Sequence, residues 1–143
     1  MIESSMIVND RMPEYCAERA MAALNEQKKA LNGAKVLVLG VAYKQDIDDY
    51  RESPAIRVIR ELRKRGADVR YFDPYVSRYQ HDGVSEESIP ALTAAELEAS
   101  DLVMITTAHT TVDYPLVAKH AKLIFDTKNA MKNIADRHNI RVL

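Results

Sequence analysis

Cysteine occurs once in the 143 residues, at Cys16, so the chain cannot close a disulfide on itself. One thiol also leaves no zinc-type ligand spacing, and it fits a reducing compartment such as the cytoplasm. Glycine is scarce, with four in all, and no tract is repetitive or low in complexity. A collagen-like or coiled-coil rod is therefore excluded. An excess of either charge is missing too: 20 Lys+Arg stand against 21 Asp+Glu, for a net charge of −1. That balance argues against bulk electrostatic capture of nucleic acid or an anionic membrane. Long apolar runs are lacking, since the longest, Val36 to Ala42, falls well short of a bilayer span. Met1 to Ser5 carries neither the basic region nor the apolar core of a signal peptide.

What remains is the composition of one soluble domain, with apolar and charged fractions of 47% and 29%. A domain of this length buries enough surface for a core of its own. Along the chain, strand and helix signals alternate. Asn9 and Asp10 offer cap oxygens and Pro13 suits a first turn, so a helix is expected to start there and to stop at Asn32-Gly33. Cys16, Ala20, Met21, Leu24 and Leu31 form its apolar stripe. Lys35-Val-Leu-Val-Leu-Gly-Val41 is apolar without alternation, as in a strand buried on both faces. Ser53-Pro54 opens a second helix that ends at Gly66. Further strands are expected at 68–72, 102–106, 123–125 and 140–143. Thr93 with Glu96 makes a capping box for a short helix, and 113–121 and, weakly, 129–138 read as helices. Residues 75–91 read as irregular. The fold class is thus α/β: a three-layer, mostly parallel, Rossmann-like sheet with helices on both faces.

In such sheets ligands bind beyond the carboxyl ends of the strands, here 42–52, 73–76, 107–111 and 126–129. The first of these has one glycine, Gly40, and a long turn, so the G-x-G-x-x-G dinucleotide loop is absent, as is a Walker A pattern. In its place stand Lys44 and Arg51 among Asp46, Asp48, Asp49 and Glu52. Two readings stay open from spacing alone: a solvated loop of weak ion pairs, or a ligand loop whose cations meet phosphate. His109 falls on the same edge and reads either as a ligand-edge group or as a surface or capping histidine. Cys16 reads as a buried small residue rather than a nucleophile. Arg57, Arg60, Arg63, Lys64 and Arg65 read as a solvated outer face rather than a nucleic-acid patch. The scattered histidines offer no metal site.

The run Gly40-Val-Ala-Tyr-Lys-Gln-Asp-Ile-Asp-Asp-Tyr-Arg-Glu-Ser-Pro-Ala55 resembles the C-terminal, UDP-binding domain of the UDP-glucose/GDP-mannose dehydrogenase family. Asn9 with Met12-Pro13, Tyr71-Phe-Asp73-Pro74 and Asp126-Thr-Lys128-Asn129 resemble further family motifs, so the likeness covers nearly the whole chain. The resemblance implies an N-terminal helix over 1–33, leading from a central region, and a UDP-sugar-binding domain over 34–143. It implies an NAD-dependent oxidation of a nucleotide sugar's C6 alcohol to a uronate, for polysaccharide biosynthesis. The NAD-binding domain and the catalytic cysteine of that reaction have no counterpart here, so the chain alone is expected to be catalytically incomplete. By resemblance, Tyr43 and Lys44 contact the UDP-sugar, and Arg51 reaches toward NAD held by another domain. Lys128 takes the place of a substrate-contacting arginine, keeping the charge and losing the bidentate fork. A histidine at 109 resembles the branch acting on UDP-N-acetylhexosamines. The family's central helix leaves a homo-oligomer open. A stand-alone regulatory or interaction module is the alternative function.

Overall fold

The computed structural model describes residues 2–51, 53–81 and 83–143, with side chains described from Met12 onward. The elements, in chain order, are α1 (Ile2–Glu26), β1 (Lys35–Leu39), α2 (Pro54–Lys64), β2 (Asp68–Phe72), β3 (Arg78–His81), β4 (Val84–Glu87), α3 (Ala94–Ala99), β5 (Leu102–Ile105), α4 (Tyr114–His120), β6 (Ile124–Asp126) and β7 (Ile140–Val142). Five strands form one parallel sheet in the order β2-β1-β5-β6-β7. The order turns back at β1, whose neighbours β2 and β5 lie on opposite sides.

Alternate strand residues feed two separate cores, because successive side chains point to opposite faces. Val36, Val38, Val69, Tyr71, Leu102, Met104 and Phe125 pack with α1 and α2. Leu37, Leu39, Val103, Ile105 and Ile124 pack with α3 and α4. This explains why β1 after Lys35, and β5 throughout, are apolar at successive positions rather than at every second one. Small residues on α1 (Cys16, Ala17, Ala20, Ala23) let the helix lie close against α2 and the sheet. Burial pushes the Cys16 thiol up, against a smaller opposing pull from Lys128 and Arg19, as suits a buried and unreactive thiol.

Ser53 caps α2 by accepting the Ala55 N–H at 3.2 Å, and Pro54 occupies the first helical position. Thr93 accepts the Glu96 N–H, as the capping-box reading requires, but the Glu96 carboxylate turns away to pair with Arg70.

Four expectations are corrected. First, α1 starts upstream of Asn9 and Asp10 and carries Pro13 in its interior, so those residues are not its cap; their side chains lie outside the described ones. Second, α1 ends at Glu26, where Lys28 takes a left-handed φ of 59°; Met21 is exposed, while Leu31 is buried in the loop beyond. Third, the 75–91 stretch holds the antiparallel hairpin β3–β4. Its anchor is Tyr79, buried against Tyr71 and Tyr50 with ring centroids 5.2 and 5.9 Å away. Arg63 of α2 forks onto Glu86 and donates to the Val69 carbonyl at 2.8 Å, so this arginine is no part of a free solvated face. Arg65 likewise pairs with Glu61, leaving Arg57, Arg60 and Lys64 exposed. Fourth, 129–138 forms turns instead of a helix. Asn129 sits at φ 57°, and the Asp126 carboxylate takes up the Lys128, Ala130 and Met131 N–H groups at 3.0, 3.1 and 2.8 Å.

Candidate functional site at the carboxyl edge of the sheet

The four stretches expected at one edge lie there, each following the carboxyl end of a strand. At the end of β1 the chain turns through Gly40, at φ 93°. A Cβ on Gly40 would sit 2.4 Å from the Thr107 Cβ. The glycine therefore serves a close approach between the exits of β1 and β5. The space a phosphate-binding glycine keeps open is filled here by Thr107, so this turn does not fit the pyrophosphate of a dinucleotide. Thr107 closes the same junction by donating its hydroxyl to the Ala42 carbonyl at 2.8 Å.

Asp73, at the end of β2, is buried and gathers four backbone N–H groups. One carboxylate oxygen accepts from Val41 and Ala42 at 2.8 and 3.2 Å, the other from Tyr75 and Val76 at 2.8 and 3.1 Å. The first oxygen also meets His109 Nε2 at 2.9 Å. Burial pushes the Asp73 carboxyl up, but the bonds from His109, Tyr75 and Val41 outweigh it and hold it below the usual carboxylate range.

His109 is fully buried, which corrects the surface reading of this residue. Its Nδ1 accepts the Asp46 N–H at 2.7 Å. That nitrogen carries no proton, so Nε2 carries it and donates to Asp73. Asp46 in turn has a left-handed φ of 62°, which aspartate tolerates. Its carboxylate accepts the Thr110 N–H and hydroxyl, each at 2.8 Å. The Thr110 bonds hold the Asp46 carboxyl below its ordinary range. A chain of polar contacts thus runs Asp73–His109–Asp46–Thr110 across the ends of β2, β5 and β1.

On this framework Tyr43 and Ile47 stand exposed at 48% and 38%. The Lys44 ammonium lies 5.7 Å from the Tyr43 ring centroid, a cation–π pair, and has no carboxylate partner among the described residues. Arg51 forks onto Asp49 at 3.1 and 3.2 Å, with most of its side chain in solvent. Lys128 is exposed on the loop that Asp126 pins after β6. It follows β6, which lies two strands from β1 in the sheet. The edge therefore brings Tyr43 and Lys44 together, places Arg51 at the far end of the same loop, and sets Lys128 apart.

Sequence reasoning placed the cations but missed the roles of Asp73, Asp46, Thr107 and Thr110. The available signal was a polar residue just beyond three adjacent strands. A groove of about 510 Å³, lined by Met21, Asn25, Leu31 and Arg65, opens at the opposite, amino-terminal edge. Its exposed lining is mostly apolar, and it lies where such sheets do not bind ligands. Among the described residues no cluster of His, Cys, Asp and Glu could hold a metal ion, and no helix is long and apolar enough to cross a membrane.

Known proteins resemble this chain in sequence and fold. The chain is 31% identical over 137 residues to a UDP-N-acetyl-D-mannosamine dehydrogenase of Pyrococcus horikoshii, covering 92% of this chain and 30% of that protein. It is 29% identical over 139 residues to a UDP-glucose 6-dehydrogenase of Rickettsia bellii, covering 92% and 31%. A solved structure of the UDP-D-ManNAc dehydrogenase from P. horikoshii superposes with a TM-score of 0.76 at 29% identity, over 94% of this chain and 31% of that one. The chain thus spans about 31% of the length of the relatives it matches. The family model for the UDP binding domain aligns with residues 37–133, from the third residue of β1 past Lys128, and so takes in all four stretches of the carboxyl edge. Two-thirds of the chain lies within that match, and the chain belongs to the UDP-glucose/GDP-mannose dehydrogenase family as its UDP binding domain.

Proposed function

We propose that the carboxyl edge holds the UDP portion of a nucleotide sugar through Tyr43, Lys44 and Lys128. The observation that carries this reading is the exposed Tyr43–Lys44 pair on a loop fastened from beneath, with its ammonium left available for an anion. A diphosphate is such an anion, and Lys44 and Lys128 offer point charges for it. The exposed Tyr43 ring gives a flat apolar face for the base or sugar. Arg51, pre-oriented by Asp49, would face NAD held by another part of a dehydrogenase, since the Gly40 turn does not accommodate a dinucleotide. The whole enzyme would oxidise a C6 alcohol to a uronate, and the names of the relatives favour the UDP-N-acetylhexosamine branch.

Titration calorimetry with UDP and NAD added separately tests this. Heat and thermal stabilisation are expected from UDP and not from NAD. Stabilisation by NAD, with none from millimolar UDP, would sink the reading. Lys44→Ala is expected to weaken UDP binding about tenfold or more, with the melting temperature within a degree or two of the parent. Among the described residues the exposed ammonium has no carboxylate partner whose loss would cost stability. A fall in melting temperature with unchanged affinity would make Lys44 a structural residue instead.

A further inference from the structure

The loop between β1 and α2 is irregular, and it carries Tyr43, Lys44 and Arg51. Much of its order is internal: the Tyr43 N–H donates to the Asp49 carbonyl at 2.6 Å, and Arg51 holds Asp49. These bonds shape the loop without fixing it to the body. The fastening near its tip runs through Asp46, whose N–H is accepted by His109 Nδ1 and whose carboxylate is held by Thr110. His109 and Thr110 follow β5, so the loop after one strand is placed by the segment after its neighbour.

We propose that His109 is a positioning residue for UDP binding, setting the Tyr43–Lys44 pair through the Asp46 N–H while touching no ligand itself. The proposal rests on the UDP reading above. The imidazole is enclosed, which rules out a ligand contact in this arrangement. The bond to Asp73 and the Tyr75 ring orient the imidazole. Asp73 accepts the Nε2–H bond at 2.9 Å, and the Asp46 carboxylate lies 3.9 Å from Nδ1. The Tyr75 ring tilts against it at 4.9 Å, and the Tyr114 hydroxyl of α4 donates to the His109 carbonyl at 2.8 Å. A ring held this firmly presents its unprotonated nitrogen at one place and fixes the Asp46 N–H there. Asp46 sits two residues from Lys44, so a shift at one carries to the other.

Two substitutions divide the roles of the ring. In His109→Asn the amide oxygen reaches about as far as Nδ1, so the acceptor for Asp46 is kept and the donor to Asp73 is lost. In His109→Gln the amide nitrogen reaches about as far as Nε2, so the donor to Asp73 is kept and the acceptor for Asp46 is lost. Calorimetry with UDP, thermal melting and amide hydrogen exchange at Asp46 are measured on the full chain. For His109→Gln we expect UDP affinity to drop about tenfold and Asp46 exchange to quicken by at least as much. For His109→Asn we expect both to stay within about threefold of the parent although the protein melts lower, because Asp73 has lost its charge-assisted partner. Affinity that follows melting temperature through both variants would overturn the proposal, as would full affinity in His109→Gln. If the Asn variant does not fold, the affinity and exchange of His109→Gln decide alone. Absence of any UDP binding by the parent would overturn the UDP reading; Asp46 exchange in the two variants would then decide whether His109 sets the loop.

Discussion

At the scale of single residues, Gly40 shows how one backbone position organises the edge. Its φ of 93° and the 2.4 Å that would separate an added Cβ from Thr107 both forbid a larger side chain. Gly40→Ala is expected to cost about 3 kcal/mol, from left-handed strain plus displacement of the β5 exit. Urea unfolding would measure it, and a cost under about 0.5 kcal/mol would show that Thr107 yields freely. The glycine itself stood out in the sequence as a lone one after a strand, without the companions of a dinucleotide loop. Tyr43, Lys44, Arg51 and Lys128 were legible for the same reason, since residues just past a parallel strand must lie at its carboxyl end. His109 was legible in position and not in burial. Its partners Asp46 and Asp73 lie 63 and 36 residues away, and only the β2-β1-β5 order brings them to it.

Helices and strands divide by how local their signals are. α2 was readable to the residue at its start, because Ser53-Pro54 is a cap and a first turn in one. The buried strands were readable from unbroken apolar runs. The β3–β4 hairpin escaped because its strands are short and polar, although Asp82-Gly83 between them is a turn signal. Its stability comes from contacts distant in sequence: Arg63 on Glu86, and Tyr79 between Tyr50 and Tyr71. Pro13 misled for the opposite reason. A proline fits a first turn well, yet α1 carries it within a long helix whose small-residue face is held by packing on α2. Tyr79 should therefore matter more than its place on an edge hairpin suggests. Tyr79→Ala is expected to lower stability by about 3 kcal/mol and to free the β3 and β4 amides to exchange. Because Tyr79 also packs on Tyr50 near the end of the β1–α2 loop, UDP binding should weaken as well. Protection unchanged in β3 would show that Arg63 alone holds the hairpin.

For the whole molecule, the parallel order and the two cores were foreseeable from strand–helix alternation, and the network that locks the strand exits was not. That network gives the domain a definite response to pH. Asp73 lies below the usual carboxylate range: its burial is outweighed by His109 and two N–H groups. Asp101 is lowered as well, first by the hydrogen bond from Lys29. A carboxyl whose folded value lies below its unfolded one stabilises the fold above about pH 4, and that contribution is lost as pH falls through the folded value. Tyr79 and Tyr114 lie on the other side, each pushed up to about 12 chiefly by burial, and Tyr71 is raised further by the same cause. A tyrosine raised in the fold contributes stability below its unfolded value of about 10, lost as pH climbs through the folded value. Urea midpoints should therefore be nearly flat from about pH 5 to about pH 9 and fall on both sides. Asp73→Asn tests the acid limb, since it removes the titrating carboxylate while leaving an amide oxygen to accept backbone N–H groups. Its midpoint is expected to be lower at neutral pH and to fall less steeply on acidification. An acid limb as steep as the parent's would place the acid sensitivity elsewhere than the β2 exit.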